Sequence, residues 1–478
     1  MTGSSAGDRS AHLRRTTVTE DLQAELDALS AELGVTGVAA GIWHEGRESY
    51  AFTGVTSVTN PLPVDERTLF QFGSTGKTFT ATAIMLLVQD GRVDLHAPVR
   101  TYVPEFKTKQ PDVAEQVTVL QLLNHTAGWD GDFFADTGNG DDALANYVAR
   151  MVELDQVTPL GATVSYNNAS LALAGRVIER VTGSTFEQAM RDLVLDPLGL
   201  ADTLSFPGQI MTRRFAVGHT RADDGTVTVN EPWALPRAVT AAGGMSATAA
   251  DQLAWARFHL SGGTALDGSR VLSEELVRLM QQPTADMRGS ALGDAVGISW
   301  LLREVDGVQL VGHGGTTNGQ YSDFTMVPAR DFAVLSMTNS GPNGSELNTR
   351  LTRWALEHHL GVRETDPQPL VLGDDALTVY AGRYETVASI AEVTVEAGQL
   401  VVTSWAKAAM TAALGDKAEE KRRMPLTLVA GERDPFVISE GPGKGMRGYF
   451  ARDDAGRLLG MHFGGRLASR VGAAQVPA

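Results

Sequence analysis

The stretch QFGSTGKTFT, residues 71–80, is compatible with two different structures, because its Gly76-Lys77-Thr78 fits both. One is a phosphate-binding loop, which needs a glycine five residues before Gly76 so that backbone N–H groups can wrap around an anion. Gln71 occupies that position. The residues that follow, 78–88, are apolar on nearly every side, which predicts a helix buried inside a domain. The stretch therefore favours the start of a buried helix over a nucleotide site.

Ser74 and Lys77 lie three residues apart at the start of this predicted helix. Residues at this spacing share one helix face, with Cβ atoms about 5–6 Å apart, so the two side chains can hydrogen-bond. A serine hydroxyl is a weak nucleophile until a neighbouring base takes its proton, and burial lowers the pKa of a lysine toward that of a usable base. The spacing predicts a nucleophile and its activator, although Ser-x-x-Lys also arises by chance in long chains.

A second polar group, SYNN at residues 165–168, precedes a predicted helix. Tyr166 can accept a proton if a nearby cation, such as Lys77, favours its phenolate form. Asn168 can offer its amide N–H to a substrate carbonyl and its oxygen to Lys77. The alternative is that Asn167 or Asn168 caps the helix and that Tyr166 only packs.

The glycine-rich sequence HGGT, residues 313–316, follows an apolar strand predicted at 308–312. Glycines at the end of a strand let another backbone or a ligand come close. The N–H of Thr316, or that of Gly315, can combine with the N–H of Ser74 to bind the oxyanion of a tetrahedral intermediate. His313 either steadies Tyr166, contacts a substrate, or is only hydrogen-bonded within the strand.

The composition restricts the chemistry and the partners. The 478 residues contain no cysteine, so any nucleophile must use oxygen or nitrogen, and the net charge of −17 disfavours nucleic acid and anionic membranes. The histidines show no metal-ligand spacing with carboxylates, so we expect neither a metal nor a cofactor. The basic N-terminal residues are not followed by the run of about 7 apolar residues that a secretory signal needs, and no stretch approaches the roughly 18 of a membrane span. We therefore expect a cytoplasmic protein.

Strand patterns at both ends of residues 17–360, with helices between them, predict an α+β domain whose antiparallel sheet is closed by distant parts of the chain. Helical periodicity is found near 22–33, 78–88, 118–124, 141–152, 168–181, 248–260 and 345–359, and strand patterns are found near 38–43, 49–52, 297–302, 308–312, 321–327 and 332–337. The first two strands are expected to form a hairpin at the edge of the sheet.

The sequence changes character after residue 360. The segment GVRETDPQP, residues 361–369, has the composition of a linker. Residues 370–478 contain closely spaced hairpin patterns, which predict a small antiparallel β-barrel. Residues 1–16 are expected to form a disordered tail.

The order of the three motifs resembles that of the penicillin-binding-protein and serine β-lactamase superfamily. More narrowly, residues 17–360 look like the class C β-lactamase-related serine hydrolases, which include esterases, D-stereospecific aminopeptidases and penicillin-binding-protein-type thioesterases. The stretches that carry the resemblance are Ser74-Thr75-Gly76-Lys77, Tyr166-Asn167-Asn168, Gly312-His313-Gly314-Gly315, LLNHTAG at 122–128 and Ala242-Gly243-Gly244-Met245. The resemblance implies a β-lactamase/transpeptidase-like fold with helices on both faces of the sheet.

The same resemblance assigns roles to the candidate residues. It implies that Ser74 is the acylated nucleophile and that Lys77 and Tyr166 shuttle its proton. Asn168 and the strand of His313 would bind substrate. The C-terminal segment resembles the lipocalin-like barrel of several relatives, where it can border the mouth of the active site and contribute to specificity.

One departure from the family pattern bears on the substrate. Class C β-lactamases usually carry Lys-Thr-Gly where this chain has His313-Gly314-Gly315, so the cation that binds a β-lactam carboxylate is missing. We therefore expect a hydrolase of small-molecule esters, amides or peptidyl compounds, similar to a carboxylesterase or a D-aminopeptidase, with weak or no β-lactamase activity. The alternatives are an acyl transferase or peptide-cyclising thioesterase, and a non-catalytic ligand sensor. Four aromatic residues either line the substrate pocket or only pack: Trp129, Phe133, Phe134 and Trp233.

Overall fold

The computed structural model describes residues 19–222, 224–365, 367–407, 421–441, 443–453 and 455–472, and the predicted tail at 1–16 lies outside these ranges. The chain forms an α+β unit on a nine-stranded antiparallel sheet, followed by a closed eight-stranded barrel. This is the fold class that the sequence predicts. The domain bounds at 17–360, 361–369 and 370–478 remain predictions.

The helices alternate with loops through the first unit, and one short helix precedes the barrel. They are α1 (Glu20–Leu33), α2 (Gly76–Gln89), α3 (Pro111–Gln116), α4 (Val119–Leu123), α5 (Ala143–Arg150), α6 (Asn168–Thr182), α7 (Phe186–Met190), α8 (Pro207–Ile210), α9 (Thr240–Gly243), α10 (Ala249–Leu260), α11 (Glu274–Met280), α12 (Asn343–Leu360) and α13 (Asp374–Thr378).

The strands fall into a main sheet, two small sheets and the barrel. Those before the barrel are β1 (Gly37–His44), β2 (Arg47–Gly54), β3 (Phe70–Gln71), β4 (His219–Arg221), β5 (Val227–Val229), β6 (Ser246–Ala247), β7 (Ala285–Ser290), β8 (Gly293–Val296), β9 (Leu301–Val305), β10 (Val308–Gly312), β11 (Gly315–Thr316), β12 (Tyr321–Val327), β13 (Phe332–Thr338) and β14 (Ser340–Gly341). Those of the barrel are β15 (Gly382–Glu385), β16 (Ser389–Glu396), β17 (Gln399–Ala406), β18 (Arg422–Leu428), β19 (Pro435–Ile438), β20 (Arg447–Arg452), β21 (Leu458–Phe463) and β22 (Arg466–Arg470).

The main sheet is assembled from both ends of the first unit, as predicted. Its strand order is β2-β1-β13-β12-β10-β9-β8-β7, with β11 beside β12, so the N-terminal hairpin forms one edge. The hairpin turns at Glu45 and Gly46, both of which have positive φ angles, 50° and 74°. Such a two-residue turn matches the right-handed twist of the strands that it joins.

The pattern near 297–302 does not form the predicted strand over its whole length. Strand β9 begins only at Leu301, because Ser299 has a φ angle of 58° and turns the backbone. Ile298 and Trp300 are buried without belonging to a strand. Strands β7 and β8 were not predicted, since residues 285–296 lack a continuous apolar or alternating pattern.

Helices cover both faces of the main sheet, and alternation along β1 separates the two cores. Val38 and Ala40 point into the core beneath α1 and α12, whereas Ala39 belongs to the larger core that includes α2, α6 and α10. Period-two alternation of this kind is expected for a strand buried on both faces. The larger core surrounds α2 and thereby fixes the turn that carries Ser74.

The barrel rests against the first unit through the tip of the hairpin between β21 and β22. The N–H of Tyr166 donates a 2.9 Å hydrogen bond to the backbone oxygen of Gly465, and the N–H of Leu467 donates to Ser165 Oγ at 3.3 Å. His462 Nε2 lies 3.2 Å from the backbone oxygen of Val164. Three consecutive residues of one loop, 164–166, are therefore held by the barrel.

Candidate active site

Ser74 lies in a 3₁₀ turn, Gly73–Thr75, that leads directly into α2. The positive end of a helix dipole is placed at this position, where it favours developing negative charge. A cavity of about 520 Å³ opens at the turn. The predicted site residues that line it are Ser74, Tyr166, Asn168, His313, Gly314, Gly315 and Thr316.

Lys77 lies one turn further along α2 and is completely buried. Its Nζ is 3.0 Å from Ser74 Oγ, 2.8 Å from Asn168 Oδ1 and 2.6 Å from the backbone oxygen of Ala242. The amide and backbone oxygens can only accept hydrogen bonds, so each takes one N–H of the amine. A neutral amine has two N–H groups and one lone pair, and the lone pair is then left to face the hydroxyl of Ser74.

The electrostatics agree with a neutral Lys77. Burial lowers its pKa well below the usual 10.5, and the positive charge of Arg466 lowers it further, against the opposing effect of Asp132. A lowered pKa favours the neutral amine, which can accept a proton. This is the property that the sequence pattern predicts for the partner of Ser74.

Tyr166 is also buried, with 5% of its surface exposed, and its hydroxyl hydrogen-bonds to Ser74. Its ring centroid lies 4.8 Å from Lys77 Nζ. Burial raises the pKa of Tyr166 above its usual value, and this effect outweighs the hydrogen bond to Ser74 and the charge of Arg466, which both lower it. The phenolate form considered from the sequence is therefore not the resting form. A neutral phenol at this place is a proton donor.

The sequence left open whether Asn167 or Asn168 caps the helix, and the two side chains have different roles in the structure. Asn167 is the cap of α6, because its side chain accepts a 2.8 Å hydrogen bond from the N–H of Ser170. Its own Nδ2 donates to the backbone oxygen of Trp129 at 2.8 Å. Asn168 is thereby free to turn its oxygen toward Lys77 and its Nδ2 toward Asp132 Oδ1, at 3.3 Å.

Strand β11 lies against the backbone just before Ser74. A Cβ added to Gly73 would lie 2.6 Å from the nitrogen of Thr316, and one added to Gly315 would lie 1.9 Å from the backbone oxygen of Phe72. Both distances are too short for a side chain, so only glycine permits this approach. The backbone of Thr316 is thus next to that of Ser74, where the predicted oxyanion hole needs it. The use of their N–H groups as oxyanion donors remains a prediction.

The histidines around Tyr166 are both neutral. Burial lowers the pKa of His313 to about 3 and that of His125 well below its usual value. His313 Nδ1 lies 2.6 Å from the backbone oxygen of Gly314, and His125 Nδ1 accepts a 3.1 Å hydrogen bond from the N–H of Asn167. The ring centroid of His125 is 4.5 Å from that of Tyr166. His313 therefore does not replace the cationic lysine of the Lys-Thr-Gly pattern.

The sequence did not point to two charged residues of the site, Asp132 and Arg466. Arg466 belongs to the barrel and lines the cavity, and its Nε and Nη2 donate 2.9 Å hydrogen bonds to the two carboxylate oxygens of Asp132. Asp132 lies beside Phe133 and Phe134, two of the aromatic residues considered as pocket walls, and a charged residue among them was the available signal. No local pattern links two residues that are 334 positions apart.

Of the four aromatic residues considered as pocket walls, Phe134 lines the cavity. The other three pack: Trp129 is buried beside Phe106, and Trp233 makes an edge contact with Phe215. Phe133 packs against the larger core.

In the described ranges, no three or more histidine, aspartate or glutamate side chains are grouped as metal ligands would be. No helix in the same ranges has the length and apolarity needed to cross a bilayer.

Residues 22–359 match the family model Beta-lactamase, so the chain belongs to that family of serine hydrolases, whose fold is shared by penicillin-binding proteins and class C β-lactamases. Penicillin-binding protein 4 of Amycolatopsis lactamdurans is 34% identical over 374 residues, which are 76% of this chain and 96% of that protein.

Solved structures extend the similarity to the barrel. The crystal structure of SurE is 28% identical, with a TM-score of 0.75, and the alignment covers 94% of this chain and 98% of SurE. The D-amino acid amidase from Ochrobactrum anthropi SV3 is 25% identical, with a TM-score of 0.59, over 69% of this chain and 94% of the amidase. Because the SurE alignment covers nearly all of this chain, it includes the C-terminal barrel as well as the sheet and helices.

Proposed function

We propose that the protein is a serine hydrolase that cleaves an ester or amide bond through an acyl-enzyme on Ser74. The observation that carries this proposal is the buried Lys77 amine, whose Nζ lies 3.0 Å from Ser74 Oγ while its other two partners, Asn168 Oδ1 and the backbone oxygen of Ala242, can only accept hydrogen bonds. A buried lysine that served only the structure would need acceptors for three N–H groups. Here the third partner is a hydroxyl, which can also donate a proton to a neutral amine.

Acylation uses these groups in one sequence of proton transfers. Ser74 Oγ attacks the substrate carbonyl carbon while its proton moves to Lys77 Nζ. The carbonyl oxygen becomes an oxyanion opposite the N–H groups of Ser74 and Thr316. Collapse of this intermediate breaks the bond to the leaving group, and the phenol of Tyr166 gives that group its proton. The proton on Lys77 then returns to Tyr166, so that both groups regain their resting forms.

Deacylation runs through the same groups with water in the place of the leaving group. Water gives a proton to Lys77 as it attacks the acyl carbon, and Lys77 returns that proton to Ser74 Oγ as the bond to the acyl carbon breaks and the product acid departs. Asn168 keeps the Lys77 amine pointed at Ser74 throughout, because its oxygen holds one N–H at 2.8 Å. Such fixed placement of the reacting groups supplies much of the rate gain of an enzyme.

The substrate that we propose carries a residue of D configuration on its acyl side. SurE has been solved with D-Leu, and the amidase from Ochrobactrum anthropi is named for D-amino acids. A β-lactam is a poorer substrate in this proposal, because the neutral His313 offers no cation to its carboxylate. Phe134 gives the cavity an apolar wall for the side chain of the acyl residue.

A substrate screen tests the proposal. Purified protein is assayed with p-nitrophenyl butyrate and with matched D- and L-amino acid amides, and mass spectrometry follows the peptide that contains Ser74. We expect turnover, a preference for the D-amides, and an acyl adduct that is lost in Ser74→Ala and kept in Ser269→Ala, which alters an exposed serine. Wild-type rates in Ser74→Ala would refute the proposal.

The same assay separates the alternatives. Acyl transfer shares every step up to the acyl-enzyme, so an added amine acceptor would yield an amide product in place of the free acid. A ligand sensor would be labelled at Ser74 by a fluorophosphonate but would turn over none of the substrates.

A further inference from the structure

The barrel contributes a charged side chain to the cavity that contains Ser74. Arg466 follows the hairpin tip between β21 and β22, and its Nη1 donates a 2.9 Å hydrogen bond to the backbone oxygen of Gly464. About a third of its side chain, 32%, is exposed, whereas only 13% of Asp132 is. The guanidinium carbon lies 4.8 Å from the ring centroid of Tyr166.

Arg466 is connected to Lys77 by an unbroken series of hydrogen bonds. Its Nε and Nη2 bind both oxygens of Asp132 at 2.9 Å. Oδ1 of Asp132 also accepts the hydrogen bond from Asn168 Nδ2 at 3.3 Å, and Asn168 Oδ1 accepts from Lys77 Nζ at 2.8 Å. Each member has few other orientations, since a bidentate arginine fixes the carboxylate plane.

We propose that Arg466 is a positioning residue of this active site, which holds Asp132 so that Asp132 orients Asn168 and Asn168 orients Lys77. The inference rests on the proposed hydrolase function and adds to it a part for the C-terminal barrel. The barrel is then a component of the active site as well as a border of its mouth.

The charges of the pair also act on Lys77. The titratable and charged side chains around its amine are Tyr166, His125, His313, Asp132 and Arg466, with Asp130 beyond Asp132. Both histidines have lowered pKa values and carry no charge at neutral pH. The carboxylate of Asp132 and the guanidinium of Arg466 therefore oppose each other at Lys77, and removal of either leaves the other unbalanced.

This balance distinguishes positioning from simple docking of the barrel. Activity requires a neutral Lys77, so the acidic limb of the kcat/KM profile follows its ionisation in the free enzyme. Loss of Arg466 leaves the negative charge of Asp132, which favours protonated Lys77 and moves the limb to higher pH. Loss of the Asp132 charge has the opposite effect. A residue that only docked the barrel, without an effect on Lys77, would lower activity equally at every pH.

The experiment measures kcat/KM for p-nitrophenyl butyrate from pH 5 to 10 in the full-length protein. We expect the limb to move up in Arg466→Ala and down in Asp132→Asn, and to return toward wild type in the double variant, because the two opposite charges are then both removed. At pH 7, kcat/KM of Arg466→Ala should fall about 10- to 100-fold, since small displacements of reacting groups cost that much. Arg457→Ala, which alters an exposed arginine of the same barrel, should match wild type.

Arg466→Lys is a control for a folding defect in the alanine variant. It keeps the charge but cannot bind both carboxylate oxygens, so we expect a wild-type limb with reduced kcat/KM. Limbs that stay at the wild-type pH in both single variants, with parallel losses at every pH, would overturn the proposal and leave Arg466 a docking residue. Absence of turnover and of Ser74 acylation in the wild type would instead refute the hydrolase function itself.

Discussion

Replacement of Lys77 by methionine should change how stability depends on pH as well as abolish activity. Methionine has nearly the length of lysine but no ionisable group. In the folded protein the Lys77 amine is buried without a counter-ion of its own and its pKa is well below 10.5. In the unfolded chain it is an ordinary lysine, protonated below about pH 10.

The size of the effect follows from proton linkage. Where the folded protein holds Lys77 neutral and the unfolded chain holds it protonated, the unfolded chain binds one more proton, so the free energy of unfolding rises with pH by up to about 1.4 kcal/mol per unit. Lys77→Met removes that contribution. Its free energy of unfolding, compared with that of the wild type, should therefore fall between pH 7 and 9, by at most about 2.7 kcal/mol. The oxygens of Asn168 and Ala242 lose a donor, but that cost does not vary with pH.

Urea unfolding of both proteins at pH 7, 8 and 9 measures the difference. Lys107→Met, at an exposed lysine, makes the same chemical change on the surface and should follow the wild type at each pH. Parallel curves for wild type and Lys77→Met would mean that the folded protein holds Lys77 protonated. That result would refute its assignment as the base, whatever the activity of the variant.

Three other substitutions have specific expected outcomes. Tyr166→Phe should lower kcat/KM for an amide by about 10²- to 10⁴-fold but affect a p-nitrophenyl ester less, because p-nitrophenolate leaves without a proton; equal losses would contradict the role of Tyr166 as proton donor. Gly315→Ala would place a Cβ 1.9 Å from the backbone oxygen of Phe72 and so displace β11. It should lower kcat by about 10²- to 10³-fold, as loss of an oxyanion donor does, and the stopped-flow acylation rate measures this effect. Phe79→Ala should cost about 3–5 kcal/mol in urea unfolding, because this buried ring stacks 3.9 Å from Trp255, and a loss below about 1 kcal/mol would show that the cavity collapses.

Local sequence signals predicted most of the fold. They succeeded at positions where a residue type has a single structural role. Helix α1 ends at Gly34 in a left-handed conformation, with a φ angle of 63°, as a glycine after a helix predicts. The side chain of Thr248 caps α10 by accepting a hydrogen bond from the N–H of Asp251, a role for which threonine is favoured. The strand predicted at 297–302 was partly wrong because apolar residues also fill turns, and Ile298 is buried in a turn rather than paired.

The predicted site residues other than Lys77 line one cavity, and Lys77 lies buried behind Ser74, but their interpretation needed the three-dimensional environment. The three-residue spacing predicted that Ser74 lies beside Lys77. The order of the motifs along the chain predicted that Tyr166 joins them. Burial decides the protonation of Lys77 and Tyr166, and burial is a property of the assembled core. The partnership of Asp132 with Arg466 is set by the docking of two units, which no short pattern records.

The contact between Asp132 and Arg466 joins positions separated by 334 residues, and this has a consequence for synthesis on the ribosome. At about 5–20 residues per second, translation needs roughly 20–70 s to travel from the first to the second. Throughout that interval the growing chain already contains its serine and its amine but lacks the arginine that lies beside them in the finished molecule.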